Sequence, residues 1–216
     1  MKKWLISLSI LSFLSNAVSA QTDAQAKSIL AQTSKKYRSY NSVKADFTFT
    51  INNEKAKIME TQSGTLFVKS KENKYKVSME DQDLISDGKS KWTYLKDDKE
   101  VQLSNVDNKD DALNPAKIFT LYEKGYKYTY TGDSKLNGKV NYTIELAPLD
   151  IKQSFFKIRL SIDKATKNLT QATIFDRNGS RYTYAIKTFT PNTIIPESTF
   201  MFDSKKNPGV EVVDLR

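Results

Sequence analysis

Residues 43–51 read VKADFTFTI and alternate without a break. Val43, Ala45, Phe47, Phe49 and Ile51 fall on one side of an extended chain. Lys44, Asp46, Thr48 and Thr50 fall on the other. A period of two with one apolar face is the pattern of a half-buried strand. That face has to be covered. Whether a second sheet, a pair of helices or a guest molecule covers it decides both fold and function.

Working outward, TDAQAKSILAQTSKKYRSY (22–40) predicts a helix. Thr22 and Gln25 form a capping box, and Ala26, Ile29, Leu30, Thr33 and Tyr37 recur at helical spacing. Downstream, KIMETQSGTLFVKS (57–70) reads as a long strand with Gly64 as a bend or bulge. Tyr75, Val77 and Met79 alternate in the next strand. LIS, Asp87-Gly88 and KWTYL then form a hairpin with a tight turn. Val101 and Leu103 mark another strand. NPAKIFTLYEKG (114–125) breaks the pattern. Asn114 can cap a short helix, Pro115 suits its first turn and Gly125 its exit, with Ile118, Phe119, Leu121 and Tyr122 on the apolar side. Five alternating segments follow between 126 and 189, joined by LNGK, DKATKN and DRNG, as in an antiparallel meander. The tail predicts a loop around Phe200 and Phe202, then a last piece of strand.

The start of the chain, MKKWLISLSILSFLSNAVSA, has two lysines, an apolar run and a small-residue end. It reads as a secretory signal over 1–20, too short an apolar run for a spanning anchor, followed by a single domain over 21–216. The 216-residue chain has no cysteine and no histidine. Disulfides, thiol chemistry and lipidation at an N-terminal cysteine are excluded, and most triad, general-base and zinc chemistry loses its usual residues. No G-x-S-x-G, no S-x-x-K with partners and no paired-carboxylate motif stands out, and Asp87 and Asp176 are explained by their turns. The charge runs KDDKE and VDNKDDALN read as solvated loops rather than metal ligands. No cofactor, metal or catalytic residue is expected. The net charge is +9, about +7 once Lys2 and Lys3 leave with the signal. For an exported protein this suits anionic membrane surfaces rather than nucleic acid, or simply solubility.

Ten or eleven strands and two helices make a mainly β, α+β domain. So long an antiparallel sheet either curls toward a barrel or splits into a sandwich, and alternation alone leaves the two open. In a half-barrel, Phe47, Phe49, Leu66, Val68, Val77, Trp92 and Tyr94 line the inward face, and two helices leave part of it to an apolar cavity.

Five stretches carry a resemblance: SGTLFVK (63–69), LISDGKSKWTYL (84–95), NPAKIFTL (114–121), QATIFDRNGSRYTYAI (171–186) and TFMFDSKKNPGVEVVDL (199–215). In this order and spacing they resemble the LolA family of periplasmic carriers of outer-membrane lipoproteins, across about residues 24–214. The resemblance implies an incomplete antiparallel barrel of about 11 strands whose helices form a lid over a hydrophobic cavity. Met79, Ile118, Phe119, Leu121, Tyr142 and Ile144 join the expected lining. It also implies a monomer in the periplasm that takes acylated lipoprotein cargo from an inner-membrane ABC transporter and hands it toward the outer membrane, where a receptor lipoprotein can receive it. A lipid- or lipoprotein-sensing module of the same fold is the alternative. Well-studied members carry an Arg-Pro pair after the L-x-V-K strand, where the arginine latches the lid. Here Ser70 and Lys71 stand in those places. Ser70 has no guanidinium fork, so Lys69 or Lys71 is expected to act as a point charge. Tyr75 falls near the family's mouth aromatic, and an ordinary strand tyrosine is the competing reading.

Overall fold

The computed structural model describes residues 14–106, 119, 122 and 124–216. Helix α1 spans Leu14–Arg38. Twelve strands follow among the described residues: β1 (Val43–Asn53), β2 (Ile58–Lys69), β3 (Lys74–Ser78), β4 (Gln82–Ser86), β5 (Ser90–Leu95), β6 (Glu100–Asn105), β7 (Tyr126–Leu136), β8 (Lys139–Pro148), β9 (Phe155–Asp163), β10 (Leu169–Asp176), β11 (Arg181–Pro191) and β12 (Glu211–Asp214). They form one open sheet in the order β12-β6-β5-β4-β3-β2-β1-β11-β10-β9-β8-β7. Neighbours are antiparallel except β12, which lies parallel to β6. The architecture is therefore the expected incomplete barrel, with one strand more than expected, and not a two-sheet sandwich.

Turn chemistry sets the meander. Asn137 and Gly138 both have positive φ (49° and 76°) between the paired Leu136 and Lys139. A two-residue hairpin turn that matches strand twist needs this conformation at both positions, and Asn-Gly supplies it. In the β4–β5 turn, the Asp87 carboxylate accepts the backbone N–H groups of Lys89 and Ser90, and Gly88 has φ 93°. A Cβ on Gly88 would lie 2.5 Å from the Glu72 carbonyl oxygen, so only glycine lets this turn sit against the β2–β3 connection.

Helix α1 packs on one face of the sheet through Ala26, Ile29, Leu30 and Tyr37, all buried. Three polar contacts fix its position. Thr129 donates to the Asp23 carboxylate (3.0 Å), Lys36 donates to Asn168 (2.6 Å), and the Leu169 N–H donates to the Tyr37 hydroxyl (3.0 Å). The helix begins at Leu14 rather than at the expected Thr22 cap. SNAVSAQ has no glycine or proline to stop it, so in the full chain Thr22 lies mid-helix. The expected short helix over 114–124 falls largely outside the described residues. Of it, Phe119 and Tyr122 are described, and both are buried.

Gly64 is neither a bend nor a bulge, for the β1–β2 register runs unbroken from Val43↔Val68 to Asn53↔Ile58. It lies directly opposite Phe47, and a Cβ there would meet the Phe47 ring at 2.5 Å. The glycine lets the ring lie across the strand. Gly64→Ala should therefore cost about 1–3 kcal/mol in denaturant unfolding, the range for overpacking. Combined with Phe47→Leu, it should cost less than the two changes measured singly, because the smaller side chain removes the clash.

Candidate functional site: the apolar inner face

The register threads single rows of side chains across the sheet on the face that α1 covers. One row runs Ile144, Leu160, Ala172, Tyr184, Phe49 and Gln62 through five successive strand pairings. Another runs Ala45, Leu66, Val77 and Leu84. Near the C-terminal end of α1 the face is closed, with Val43, Ala45, Leu66, Val68, Tyr75 and Val77 buried. There Tyr37 stacks on Phe119 (4.3 Å, 11°), and Phe119 meets Phe189 edge-on at 5.9 Å.

Further along the same face the apolar side chains are only half-buried. Phe49, Met79, Leu84, Tyr126, Tyr128, Tyr142, Tyr182, Tyr184 and Ile186 pack against the core without being enclosed by it. Phe49 lies 4.8 Å from Tyr184 and stacks on Tyr182 at 6.2 Å. Burial raises the Tyr184 hydroxyl pKa, the response of a phenol in apolar surroundings. Gln62 is the polar exception opposite Phe49. Its amide nitrogen reaches Asp81 at 3.4 Å, and its buried Oε1 has no partner among the described residues. This stretch of wall is apolar, aromatic and adaptable, and it carries little directional hydrogen bonding.

Of the expected lining, Phe47, Phe49, Leu66, Val68, Val77, Met79, Phe119, Tyr142 and Ile144 belong to this core or pack against it. Ile118 and Leu121 lie outside the described residues. Trp92 and Tyr94 are corrections. Trp92 pairs with Ile85, which pairs with Lys76, and Tyr94 pairs with Asp83, while the inward Leu84 pairs with Thr93. Both aromatic residues therefore point to the opposite face. There Tyr94 meets Phe202 at 5.3 Å. The C-terminal segment covers this second face with Ile195 and Phe200, both buried.

Among the expected latch residues, Lys69 is turned to the tail, while Tyr75 fits the strand-tyrosine reading. Tyr75 is a buried core tyrosine paired with Val68 and Ser86, so it presents no aromatic at a mouth. Lys69 bonds to the Glu197 carboxylate and lies over the Phe200 ring (5.6 Å), while Lys74 reaches the other Glu197 oxygen at 2.9 Å. Lys71 donates to Asn41 in the α1–β1 connection (3.0 Å). Ser70 opens a 3-10 turn over Ser70–Glu72. Lys69 therefore clamps the tail, and sequence reasoning missed its partner Glu197. The signal available was one carboxylate just ahead of the aromatic pair Phe200 and Phe202.

The family model described as "Outer membrane lipoprotein carrier protein LolA" matches residues 38–203. This chain belongs to the LolA family. A relative from Psychromonas ingrahamii, named an outer-membrane lipoprotein carrier protein, is 34% identical over 146 residues. That match spans 65% of this LolA-family chain and 65% of the relative, a little under two thirds of each. Among solved structures, an uncharacterized conserved protein from Thermus thermophilus shares the fold (TM-score 0.60, 14% identity, 88% of this chain and 99% of that one). A LolA superfamily protein from Nitrosomonas europaea matches at TM-score 0.45 and 10% identity, over 82% and 97% of the two chains. No described helix is long and apolar enough to cross a membrane.

The clamp has a pH signature. The Lys69 and Lys74 ammonium groups hold Glu197 down from 4.5 to about 2. A depressed carboxylate stabilises the docked tail at pH values above its unbound range and loses that effect as pH falls through 4.5 toward about 2. At pH 4, brief pepsin treatment should nick Glu197→Gln near Phe200 faster than the wild type. Near pH 2 the two proteins should be cut alike.

Proposed function

We propose that the protein is a periplasmic carrier. It shields the acyl chains of lipoproteins released from the inner membrane and delivers them to the outer membrane, without performing covalent chemistry. The half-buried aromatic stretch of the inner face around Phe49 and Tyr184 carries this reading. Family membership and the relative's name support it. The export pattern of residues 1–20 supports the compartment.

The energetics are consistent with such a role. Exposing an acyl chain of ~14 methylenes to water costs about 11 kcal/mol at roughly 0.8 kcal/mol per group, so a diacylated or triacylated protein needs a shield to cross an aqueous space. A carrier must also release its cargo without fuel. Many modest contacts along an adaptable wall allow that better than a closed pocket does. In this scheme Phe47, Phe49, Met79, Tyr142 and Ile144 belong to the wall. In the same scheme, release from the inner membrane is the task of an ABC transporter, and a receptor lipoprotein can accept the cargo at the outer membrane.

The test is a release assay. The protein is incubated with spheroplasts that hold newly made lipoproteins and a working matching transporter, and the soluble fraction is examined for a stoichiometric complex. The wild type and Trp92→Phe, a change on the opposite face, should both form it. Phe49→Glu should fold, shown by an unchanged circular dichroism spectrum, and lose at least about tenfold of complex, since a charge in apolar surroundings is costly. Equal complex formation by Phe49→Glu and wild type would count against a lipid-holding wall at that position.

A further inference from the structure

The sheet has two ends, and charge is divided unevenly between them. At the end where β2 turns into β3, Lys69, Lys71 and Lys74 face only Glu72 in sequence. The β4–β5 turn at the same end adds Lys89 and Lys91 against Asp87, whose carboxylate is occupied by backbone N–H groups. The β7–β8 hairpin brings Lys135 and Lys139, and the β9–β10 turn brings Lys164 and Lys167. Helix α1 finishes there too, with Lys35, Lys36 and Arg38 in its last turn.

Side-chain contacts join these turns into one rim. Lys36 bonds to Asn168 in the β9–β10 turn, the Asn41 N–H donates to Asn192 at the end of β11, and Lys71 donates to Asn41. Among the described residues, the acids on the rim are largely committed. Asp163 accepts the Ala165 and Thr166 N–H groups, Asp133 is paired with Lys164 at 2.7 Å, and Glu197 is held by Lys69 and Lys74. Lys35, Lys89, Lys91 and Lys135 have no ion-pair or hydrogen-bond partner for their ammonium groups among the described residues. Among the described residues named here, twelve bases stand against five acids, Glu72, Asp87, Asp133, Asp163 and Glu197. The opposite end mixes signs. Its β5–β6 turn sets Lys96 and Lys99 against Asp97, Asp98 and Glu100, and its β3–β4 turn holds Glu80 and Asp81 with no base.

We propose that this basic rim is a docking surface for an anionic phospholipid bilayer. The cations come from five separate connections, and all but Arg38 are lysines on flexible stems. They do not converge on a single point, as a pocket for one phosphate or one acidic side chain would require. Lysine point charges spread over a surface suit the diffuse negative potential of phospholipid headgroups. The Lys164 and Lys167 ammonium groups lie 4.9 and 4.6 Å from the Tyr142 ring, an amphipathic side chain of the kind suited to a headgroup interface. The proposal is independent of acyl-chain carriage, since it requires no cargo and no occupied inner face.

The test is flotation of the full chain with phosphatidylcholine vesicles, with and without added phosphatidylglycerol, at low and high salt. The apolar leader is common to every variant, so any contribution it makes cancels between them. Lys35, Lys89, Lys91 and Lys135, all changed to Gln, should lower partitioning onto the anionic vesicles by at least about tenfold at low salt, in keeping with the attraction each surface lysine supplies. A control that changes Lys55, Lys124, Lys127 and Lys152 to Gln removes the same charge away from the rim and should alter it less than about twofold, with both variants melting like wild type. Equal losses from the two variants would overturn the assignment. So would binding that ignores phosphatidylglycerol or salt, and so would absence of vesicle binding by the wild type, which would leave an acidic protein as the partner of the rim.

Discussion

The structure depends on the double pairing of β1. On one side β1 pairs with β2, its neighbour in sequence, and on the other with β11, far along the chain. The second pairing is the costly one, because the chain between the two strands must be ordered before the pair is rewarded. It joins the β2–β6 run and the β7–β11 run into one sheet, and it places Phe49 beside Tyr184 and Phe47 beside Ile186. Without it the apolar rows end at β1, and there is no continuous wall. The register shift between Asp46 and Phe47 marks where this long-range pairing adjusts. There the Asp46 carboxylate accepts hydrogen bonds from Thr65 (2.8 Å) and Thr188 (2.7 Å), one from each flanking strand. These bonds lower its pKa and tie the outer side of β1 to both partners.

Alternation within β1, β2, β3 and β8 made most inward residues legible from the sequence. It could not carry the phase across a turn. Leu84 faces inward because it pairs with Val77, and Thr93 does so because it pairs with Leu84. The lengths of the β3–β4 and β4–β5 turns set these pairings, and a one-residue change in register sends every side chain of a strand to the other face. Trp92 and Tyr94 are the aromatic residues of β5, yet they lie on the outer face. Tyr94 there meets Phe202 of the C-terminal segment, which the sequence showed only as a loop. Similarly, Gly64 has bulge chemistry in sequence, but its role depends on a ring seventeen residues earlier in the chain.

The same parity explains why two apolar cores coexist without merging. The inward core gathers α1, β1–β3 and β8–β11, while Ile85, Val101, Ile195 and Phe200 are buried outside it. Between them lies a single sheet. Asp83 illustrates the outer environment. Burial pushes its carboxyl up, and hydrogen bonds from Lys76, Lys96 and Ser78 outweigh that and hold it down. Charged networks of this kind suit a face sealed by the protein's own tail. The inner face around Phe49 has almost none, which is consistent with the proposed contact surface for apolar groups.

The division also bears on how the lid is held. The resemblance implies an arginine latch after the L-x-V-K strand in well-studied members, whereas in this chain the cation at the end of that strand, Lys69, is committed to Glu197 on the outer face. What holds α1 is different in kind: the Tyr37–Phe119–Phe189 aromatic group, the Lys36 bonds to the β9–β10 turn, and the Leu169 N–H bond to Tyr37. An arginine latch is a directional contact that opens by losing a few hydrogen bonds. An aromatic stack opens by sliding and loses its stabilisation gradually with exposed area. A lid held in the second way responds in a graded manner to apolar groups that insert beside it, because each group that enters replaces some of the contact that is lost. Under the proposed carrier function, an apolar guest entering beside α1 would compete with the aromatic part of this hold, while the Lys36 and Tyr37 hydrogen bonds would still have to break.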